Sequence, residues 1–344
     1  MLKQKIWENK LFLVSFSVII SLLAAELILR TTSSPCNLTK YGWIVAANTE
    51  YRKVVEDTPG ELVTITVKHF ENGFKRWGNI NTEKVKMFII GDSYTKMDFV
   101  SNGEEWYSFL EKEFKDLELF VYGAGGYGSL QEYMVLDDYI DKINPDLIVL
   151  QFSDNDFTNN LYDLDLLSYP YNNHSFKPYL EKGKIVYRLP LPLSKLRRHS
   201  FIAGKILQIY DTIKLKIALG DLEAYKKQRQ SRGENAPKKE KERISQLGNA
   251  ATQVTNNIMA MISKRAGAVP VYFLSMSRPL SPRIEKLCKK NNFIYIPGIA
   301  EYIIPREKNY CLRIVNDGHW NKLGNKFIGE RLVEYFKEVG MAKK

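Results

Sequence analysis

Cysteine and histidine are scarce in this chain of 344 residues, which contains three cysteines and four histidines. Three cysteines permit at most one bridge, so the fold does not depend on disulfides. Cys288 and Cys311 are one pairing that their spacing allows without proving it. The chain also lacks a basic stripe within a recognisable nucleic-acid-binding module, because its formal charge of +11 is spread out. No nucleic-acid partner is expected.

Long apolar runs are equally rare, with one exception near the start of the chain. Residues 11–29 are almost entirely apolar, and a helix of that length rises about 28 Å, close to one hydrocarbon core. Lys3, Lys5 and Lys10 precede the run and favour a cytoplasmic N-terminus. No clean cleavage site follows, so an uncleaved anchor is preferred over a cleaved signal peptide or a buried helix.

The predicted anchor sets the division of the chain. Residues 1–30 are predicted to be a cytoplasmic stub and transmembrane anchor, 31–80 a spacer with a peripheral hairpin, and 81–344 the folded domain. With the N-terminus inside, the folded domain is periplasmic or extracellular, as in a single-pass inner (cytoplasmic) membrane protein. Glu26, near the outer end of the span, can reach the interface or pair with Arg30.

Short apolar runs alternate with stretches of helical spacing from residue 86 onward. The runs predicted as strands are 86–90, 118–122, 147–150, 269–274 and 293–296. Strands alternating with helices imply a parallel sheet covered on both faces. The sequence therefore predicts an α/β fold with a flavodoxin-like, doubly wound, five-stranded parallel sheet.

Residues 157–243 interrupt this alternation between the third and fourth strands. They contain isoleucines at helical spacing within 196–219, followed by the charge-dense segment 226–243. An insertion beside the carboxyl edge of a sheet can act as a lid or rim. A decorated surface without a substrate role, or contact with anionic lipid headgroups near the anchor, fits the same sequence.

Two polar motifs follow predicted strands. Gly-Asp-Ser ends the first strand, and Ser93 is a candidate nucleophile because open α/β sheets place their chemistry at that edge. The same tripeptide fits a turn that caps a helix. His319 precedes the final helix, and Asp317 is placed to hold one ring nitrogen while the other takes a proton. A turn followed by Asn321 as a helix cap explains the same residues.

Two further loops end strands at this edge. The glycine turn 123–128 departs from the dinucleotide fingerprint, but it lets a backbone N–H approach a developing negative oxygen. Asn155, after the third strand, can donate its side-chain N–H to the same oxygen. The neighbouring Asp154 and Asp156 are too few for a metal site without a third group. No metal or cofactor is expected.

Together these motifs resemble the SGNH (GDSL-like) hydrolase superfamily. The matching blocks are Gly91-Asp92-Ser93, Gly126 within Gly123–Gly128, Asn155-Asp156 and Asp317-Gly318-His319. The resemblance implies Ser93 as nucleophile, His319 as base, Asp317 as the residue that orients it, and Ser93, Gly126 and Asn155 as oxyanion donors. It covers about residues 70–160 and 245–340.

The chain departs from the family pattern at two places. Ser153 stands where the third block usually has glycine, and the last block is Asp-x-His rather than Asp-x-x-His. Asn316 occupies the longer-spaced position and is not a carboxylate. The shorter spacing followed by tryptophan resembles membrane-tethered members, including the alginate O-acetyltransferase-like branch. Asp92 is expected to shape the turn that holds Ser93, not to serve as the acid of a triad.

The resemblance implies a serine esterase that acts through an acyl-enzyme. The expected substrate is an acyl ester, preferably O-acetyl, of an extracytoplasmic glycan. One alternative is an O-acyltransferase of a cell-surface polysaccharide, which needs a membrane partner to deliver the acyl donor. Another is an inactive anchored protein that binds glycan or acts as a scaffold.

Overall fold

The computed structural model describes residues 2–32, 39–169, 172–220, 238–276, 279–315 and 317–341. The strands are β1 (Thr49–Thr58), β2 (Glu61–His69), β3 (Arg76–Trp77), β4 (Val85–Gly91), β5 (Leu117–Gly123), β6 (Leu147–Phe152), β7 (Lys177–Glu181), β8 (Lys184–Arg188), β9 (Val271–Ser275) and β10 (Ile294–Tyr295). The helices are α1 (Leu2–Thr32), α2 (Ser93–Lys96), α3 (Trp106–Glu113), α4 (Ser129–Ile143), α5 (Asn155–Asn159), α6 (Tyr162–Leu167), α7 (Ser194–His199), α8 (Phe201–Gly220), α9 (Lys238–Ala266), α10 (Pro282–Asn291), α11 (Ala300–Ile303) and α12 (Lys322–Glu338).

The central sheet has the strand order β10-β9-β6-β4-β5-β3. The five predicted strands pair in parallel, and in chain order their arrangement is 2-1-3-4-5, the flavodoxin-like order. The predicted fold class is confirmed. The short strand β3, which was not predicted, adds a sixth member antiparallel to β5 at one edge.

Both faces of the sheet are buried, because successive side chains of a strand point to opposite faces. In β4, Phe88 and Ile90 pack into the apolar cluster that also contains residues of α4, α9 and α10. Met87 and Ile89 pack into a second cluster with residues of α3, α11 and α12. The sheet edge that carries the predicted site residues is therefore held from both sides.

The hairpin β1–β2 contacts the loop before α12. The N–H of Val315 donates to the Glu56 carbonyl at 3.0 Å, and Asn321 Nδ2 donates to the Asp57 carbonyl at 3.1 Å. The hairpin was expected to be peripheral, but it supports the segment that carries His319. His69, at the end of β2, is 3% exposed and bonds Asp98 at 3.0 Å.

Helix α1 contains an apolar stretch, Phe12–Leu29, that is long enough to cross a membrane, and no residue of it is fully buried. The insertion contributes α6, the antiparallel hairpin β7–β8, α7 and α8. Most of the charge-dense segment, residues 226–237, lies outside the described residues, as does Asn316. Cys288 is buried and Cys311 exposed, and both are free thiols, so they do not form the disulfide that their spacing allowed.

Candidate active site

The turn after β4 fixes the position of Ser93. Asp92 is the N-cap of α2, and its carboxylate accepts a bond from the N–H of Tyr94 at 2.9 Å. Gln151, at the end of the neighbouring strand β6, accepts from the Asp92 N–H at 3.1 Å and from Thr95 Oγ1 at 2.9 Å. The capping turn expected of Gly-Asp-Ser is therefore present, and it places Ser93 at the carboxyl edge of the sheet.

Ser93, His319 and Asp317 lie in one hydrogen-bonded line. His319 Nε2 is 2.7 Å from Ser93 Oγ, although the two residues are 226 positions apart in the chain. His319 Nδ1 bonds Asp317 Oδ1, which also accepts from the His319 N–H at 3.2 Å. Partial burial acts to raise the pKa of Asp317, but the hydrogen bond and charge of His319 outweigh it and hold that pKa below its ordinary value.

Aromatic rings and a guanidinium hold the His319 loop. The imidazole stacks on Phe99 with ring centroids 4.3 Å apart, and the Tyr94 ring lies 4.8 Å away. The Gly318 carbonyl accepts from Tyr94 Oη at 3.2 Å and from Arg313 Nη1 at 2.5 Å. Because Tyr94 follows Ser93 directly, the two ends of the site are joined by side chains as well as by the Ser93–His319 contact.

The glycine turn after β5 passes directly beside Ser93. A Cβ added at Gly125 would lie 3.9 Å from Ser93 Cβ, and one at Gly123 would lie 2.3 Å from the Lys96 backbone nitrogen, so Gly123 tolerates no side chain. Gly126 has φ +76°, a conformation that favours glycine. Trp43 Nε1 donates to the Gly125 carbonyl at 3.1 Å. In a trans peptide, the N–H of Gly126 points opposite to that carbonyl and hence away from Trp43.

Asn155 is exposed at the start of α5, and its Nδ2 lies 3.5 Å from Asp92 Oδ2. Ser153, which replaces the glycine of the family pattern, is buried. Its hydroxyl accepts from Gln151 Nε2 at 2.9 Å, and its N–H donates to Asp156 at 2.8 Å. The hydroxyl that Ser153 adds at this position therefore helps to hold Gln151, which in turn holds the turn that carries Ser93.

Buried carboxyl groups lie beneath the turn. Burial, followed by the charge of Asp92, raises the pKa of Asp156 well above its ordinary value, and burial followed by the charge of Asp156 does the same for Glu132. Burial also raises the pKa of Asp92. Asp156 accepts from Ser129 Oγ at 3.2 Å, whereas neither oxygen of Glu132 has a hydrogen-bond partner within the described part of the chain.

The structure thus brings Ser93, His319 and Asp317 together and places Gly125, Gly126 and Asn155 on the loops that flank them. Sequence reasoning missed three supporting residues. Trp43 was assigned to the spacer, and neither Gln151 nor Phe99 was singled out. Only for Gln151 did the sequence carry a signal, a polar side chain at the carboxyl end of a buried strand.

No protein-family model and no curated protein matches the sequence. Several solved structures resemble the chain. They include the psychrotrophic esterase EstA from Pseudoalteromonas sp. (10% identity, TM-score 0.41, covering 74% of this chain and 98% of that one). A lipolytic protein of the G-D-S-L family from Veillonella parvula gives 9% identity and a TM-score of 0.40, covering 74% and 98%. A family 3 carbohydrate esterase from Clostridium thermocellum gives 14% and 0.37, covering 75% and 97%. The chain is thus remotely similar in structure to esterases and lipolytic proteins of the G-D-S-L family.

Proposed function

We propose that this protein is a serine esterase that works through an acyl-enzyme. The observation that carries the proposal is the 2.7 Å contact between Ser93 Oγ and His319 Nε2, with Asp317 on the other ring nitrogen. A serine hydroxyl is a weak nucleophile at neutral pH and needs an adjacent base, which in turn needs a group that fixes its tautomer. His319 and Asp317 supply both.

In the proposed reaction, His319 Nε2 takes the proton of Ser93 Oγ while that oxygen attacks the ester carbonyl. The tetrahedral intermediate collapses, the alcohol leaves with the proton from His319, and the acyl group remains on Ser93. A water molecule then gives a proton to His319 and attacks the acyl carbon. The bond from that carbon to Ser93 Oγ breaks, Oγ takes the proton back from His319, and a carboxylic acid is released. Asp317, which its low pKa keeps ionised at neutral pH, stabilises the imidazolium formed in both halves.

We assign the oxyanion to three donors: the N–H of Ser93, the N–H of Gly126 and Nδ2 of Asn155. Two observations support the assignment. Gly125 passes beside Ser93, and Asn155 is exposed at the next loop with its amide 3.5 Å from Asp92. Removal of one such donor typically costs about a hundred- to a thousand-fold in rate.

We further propose that the substrate is an acyl ester, preferably O-acetyl, on a glycan outside the cytoplasmic membrane. The apolar stretch Phe12–Leu29 supports this, because it is unburied and preceded by lysines, as expected of an anchor with its N-terminus inside. The partly exposed His319 also fits a large substrate, since 20% of its side chain is open to solvent. The domain would then work on polymers near the membrane surface.

The decisive test is Ser93→Ala in the full chain, with a short-chain aryl ester as substrate. The rate should fall at least about 10⁴-fold, and a fluorophosphonate probe that labels the wild type should no longer react. Ser263→Ala on α9, at the opposite edge of the sheet, is the matched control and should retain full activity. An unchanged rate in Ser93→Ala, with circular dichroism showing a folded protein, would refute the proposal.

The same preparation distinguishes hydrolysis from transfer. Wild-type protein is given an O-acetylated polysaccharide alone, and then an acetyl donor with an unmodified polysaccharide. Free acetate in the first mixture supports the esterase. A gain in polymer mass in the second, without acetate release in the first, would assign the same triad to an acyltransferase and contradict hydrolysis.

A further inference from the structure

Helix α8 exposes an apolar stripe along most of its length. Its members are between 53% and 72% exposed: Ile206, Ile209, Tyr210, Ile213 and Ile217. At about 100° per residue they fall within an arc of about 100° on the helix surface. A helix of a water-soluble domain normally turns such an arc toward the core. An arc of this kind that is exposed indicates contact with an apolar environment outside the domain.

One buried residue on the side of α8 away from the stripe ties the helix to the rest of the protein. Asp211 is 2% exposed, accepts from Tyr169 Oη at 2.6 Å and pairs with Arg197 at 2.7 Å. Asp211 lies about 150° around the helix from the middle of the stripe. Because this buried ion pair fixes how α8 is rotated, the stripe points away from the domain.

The start of α8 is tied to the apolar part of α1. Glu26 accepts bonds from the backbone N–H groups of Phe201 at 2.9 Å and Ile202 at 3.0 Å, and from Ser200 Oγ at 3.1 Å. Glu26 was expected to reach the interface or to pair with Arg30, and in the structure it caps the start of α8. It lies three residues before Leu29, the end of the apolar stretch, which is about 5 Å along a helix.

The contact between the two helices is confined to the end of that stretch. Ala25, Glu26 and Leu29 are half-buried, whereas residues 12–24 are exposed. Helix α8 therefore meets α1 at one end of the span and does not run along it. With α1 across a bilayer, the first turn of α8 lies at the level where the hydrocarbon ends.

Lysines flank the stripe on both sides. Lys205 and Lys216 lie along one border and Lys214 along the other, each about 70–90° from its middle. Helices that lie in a membrane interface combine an apolar stripe with lysines that reach phosphate groups at its borders. Anionic headgroups add roughly 1 kcal/mol per lysine near the surface.

We propose that α8 lies in the outer interface of the bilayer that α1 crosses, with its stripe in the acyl chains and its lysines at anionic headgroups. This proposal rests on α1 being the membrane anchor. Helix α1 then crosses the membrane and α8 lies along its surface, and Glu26 joins the two helices. Together they fix the orientation of the domain, whereas a single span would leave the domain free to rotate.

The test places an environment-sensitive NBD label on single cysteines of the full chain, in a Cys36→Ser, Cys311→Ser background that keeps the buried Cys288. The labelled positions are Ile213→Cys in the stripe, Gln208→Cys on the exposed opposite side of α8, and Ser21→Cys in α1 as an internal standard. Each variant is reconstituted into vesicles of phosphatidylcholine and phosphatidylglycerol, with and without lipids that carry a nitroxide on the acyl chain. Ester turnover is recorded on the same samples as a separate readout.

Quenching by the nitroxide lipid should be strong at positions 21 and 213, and at least about three-fold weaker at 208. If the label at position 21 is quenched but the label at 213 is quenched no more than that at 208, the proposal is overturned and the anchor remains supported. A label at 213 that is shielded from aqueous iodide but not quenched by the lipid would overturn it in favour of a second copy on this face. No quenching at 21 would refute the anchor and this proposal with it. None of these outcomes depends on ester turnover, so the proposed esterase activity is tested independently of the proposed position of α8.

Discussion

At the residue scale, the site depends on short contacts between side chains that are distant in sequence. His319 is positioned by Asp317 on one nitrogen, by Phe99 against its ring and by Ser93 on the other nitrogen. Lys53, on the hairpin, lies 4.5 Å from the centre of the Phe99 ring, and burial lowers the pKa of its ammonium group. The contacts with Asp317, Phe99 and Ser93 restrict the imidazole to one orientation, which a general base must have before the ester binds.

Asp317→Asn should lower kcat by about 10³- to 10⁴-fold, because an amide can donate to the imidazole and favour the wrong tautomer. Steady-state kinetics on an aryl ester measure the effect. Asp116→Asn, an exposed position near the opposite edge of the sheet, serves as the control and should change nothing. A loss of less than ten-fold in Asp317→Asn would mean that another group orients His319.

Trp43→Phe should lower kcat about five-fold at unchanged KM, since a hydrogen bond of about 1 kcal/mol that orients the Gly125–Gly126 peptide is lost. The ring itself, which packs on Tyr127 at 5.3 Å, is largely retained. Trp77→Phe on the edge strand β3 is the matched control and should keep both constants. A rise in KM alone would show that Trp43 contacts the substrate and does not position the oxyanion donor.

At the scale of elements, the hairpin β1–β2 and helix α12 share one residue. Asn321 caps α12 by accepting from the Gly324 N–H at 2.9 Å, and its Nδ2 donates to the carbonyls of Asp57 and Cys311. It is fully buried and follows His319 by two positions. The hairpin therefore stabilises the loop that carries His319 through a helix cap, although it contributes no residue to the hydrogen-bonded line.

Asn321→Ala should lower the free energy of unfolding by about 2–4 kcal/mol, because it removes a cap and leaves two carbonyls without that donor. It should also lower kcat. Ser281→Ala removes only the cap of α10 and should cost about 1 kcal/mol with no change in kcat. Denaturant unfolding and ester kinetics on both variants test this; equal losses of stability would contradict the bracing role.

At the scale of the whole molecule, stability should depend on pH through the buried carboxyl groups. Between the ordinary carboxyl pKa and the raised pKa of Glu132 and Asp156, the folded state binds more protons than the unfolded state. The stability gained from protonation is therefore complete below the ordinary carboxyl range and is lost as pH rises through the raised values. Asp317, whose pKa is lowered, acts in the opposite sense and loses its contribution as pH falls.

Glu132→Gln removes a buried carboxyl group that no described hydrogen bond satisfies. The variant should be about 1–3 kcal/mol more stable than the wild type at about pH 8 and should show little gain near pH 5, because the wild-type group is then protonated. Thermal or denaturant unfolding across this range measures the difference. Glu83→Gln, an exposed site, should follow the wild-type curve; a parallel curve for Glu132→Gln would contradict the prediction.

The sequence by itself determined the fold class, which is written in apolar runs that alternate with helical spacing. Ser93 and Asn155 follow two of these runs, whereas Asp317 and His319 were linked to Ser93 only through the resemblance of their motifs to a known family. Parallel strands bring their carboxyl ends to one edge, so knowing that Ser93 and Asn155 follow strands was enough to place them together. The apolar stretch before residue 30 was equally local.

Tertiary structure alone decided the contacts that depend on exact register and packing. Gln151 holds the Asp92 turn across 59 positions, Trp43 reaches Gly125 across 82, and Glu26 caps α8 across 175. Each joins two segments whose separate sequences fit other arrangements. For Gln151, a shift of one residue in β6 would turn the side chain to the opposite face of the sheet. The residue types of the candidate site could therefore be predicted from the sequence. The contacts that hold them in place and the exposed face of α8 were visible only in the packed structure.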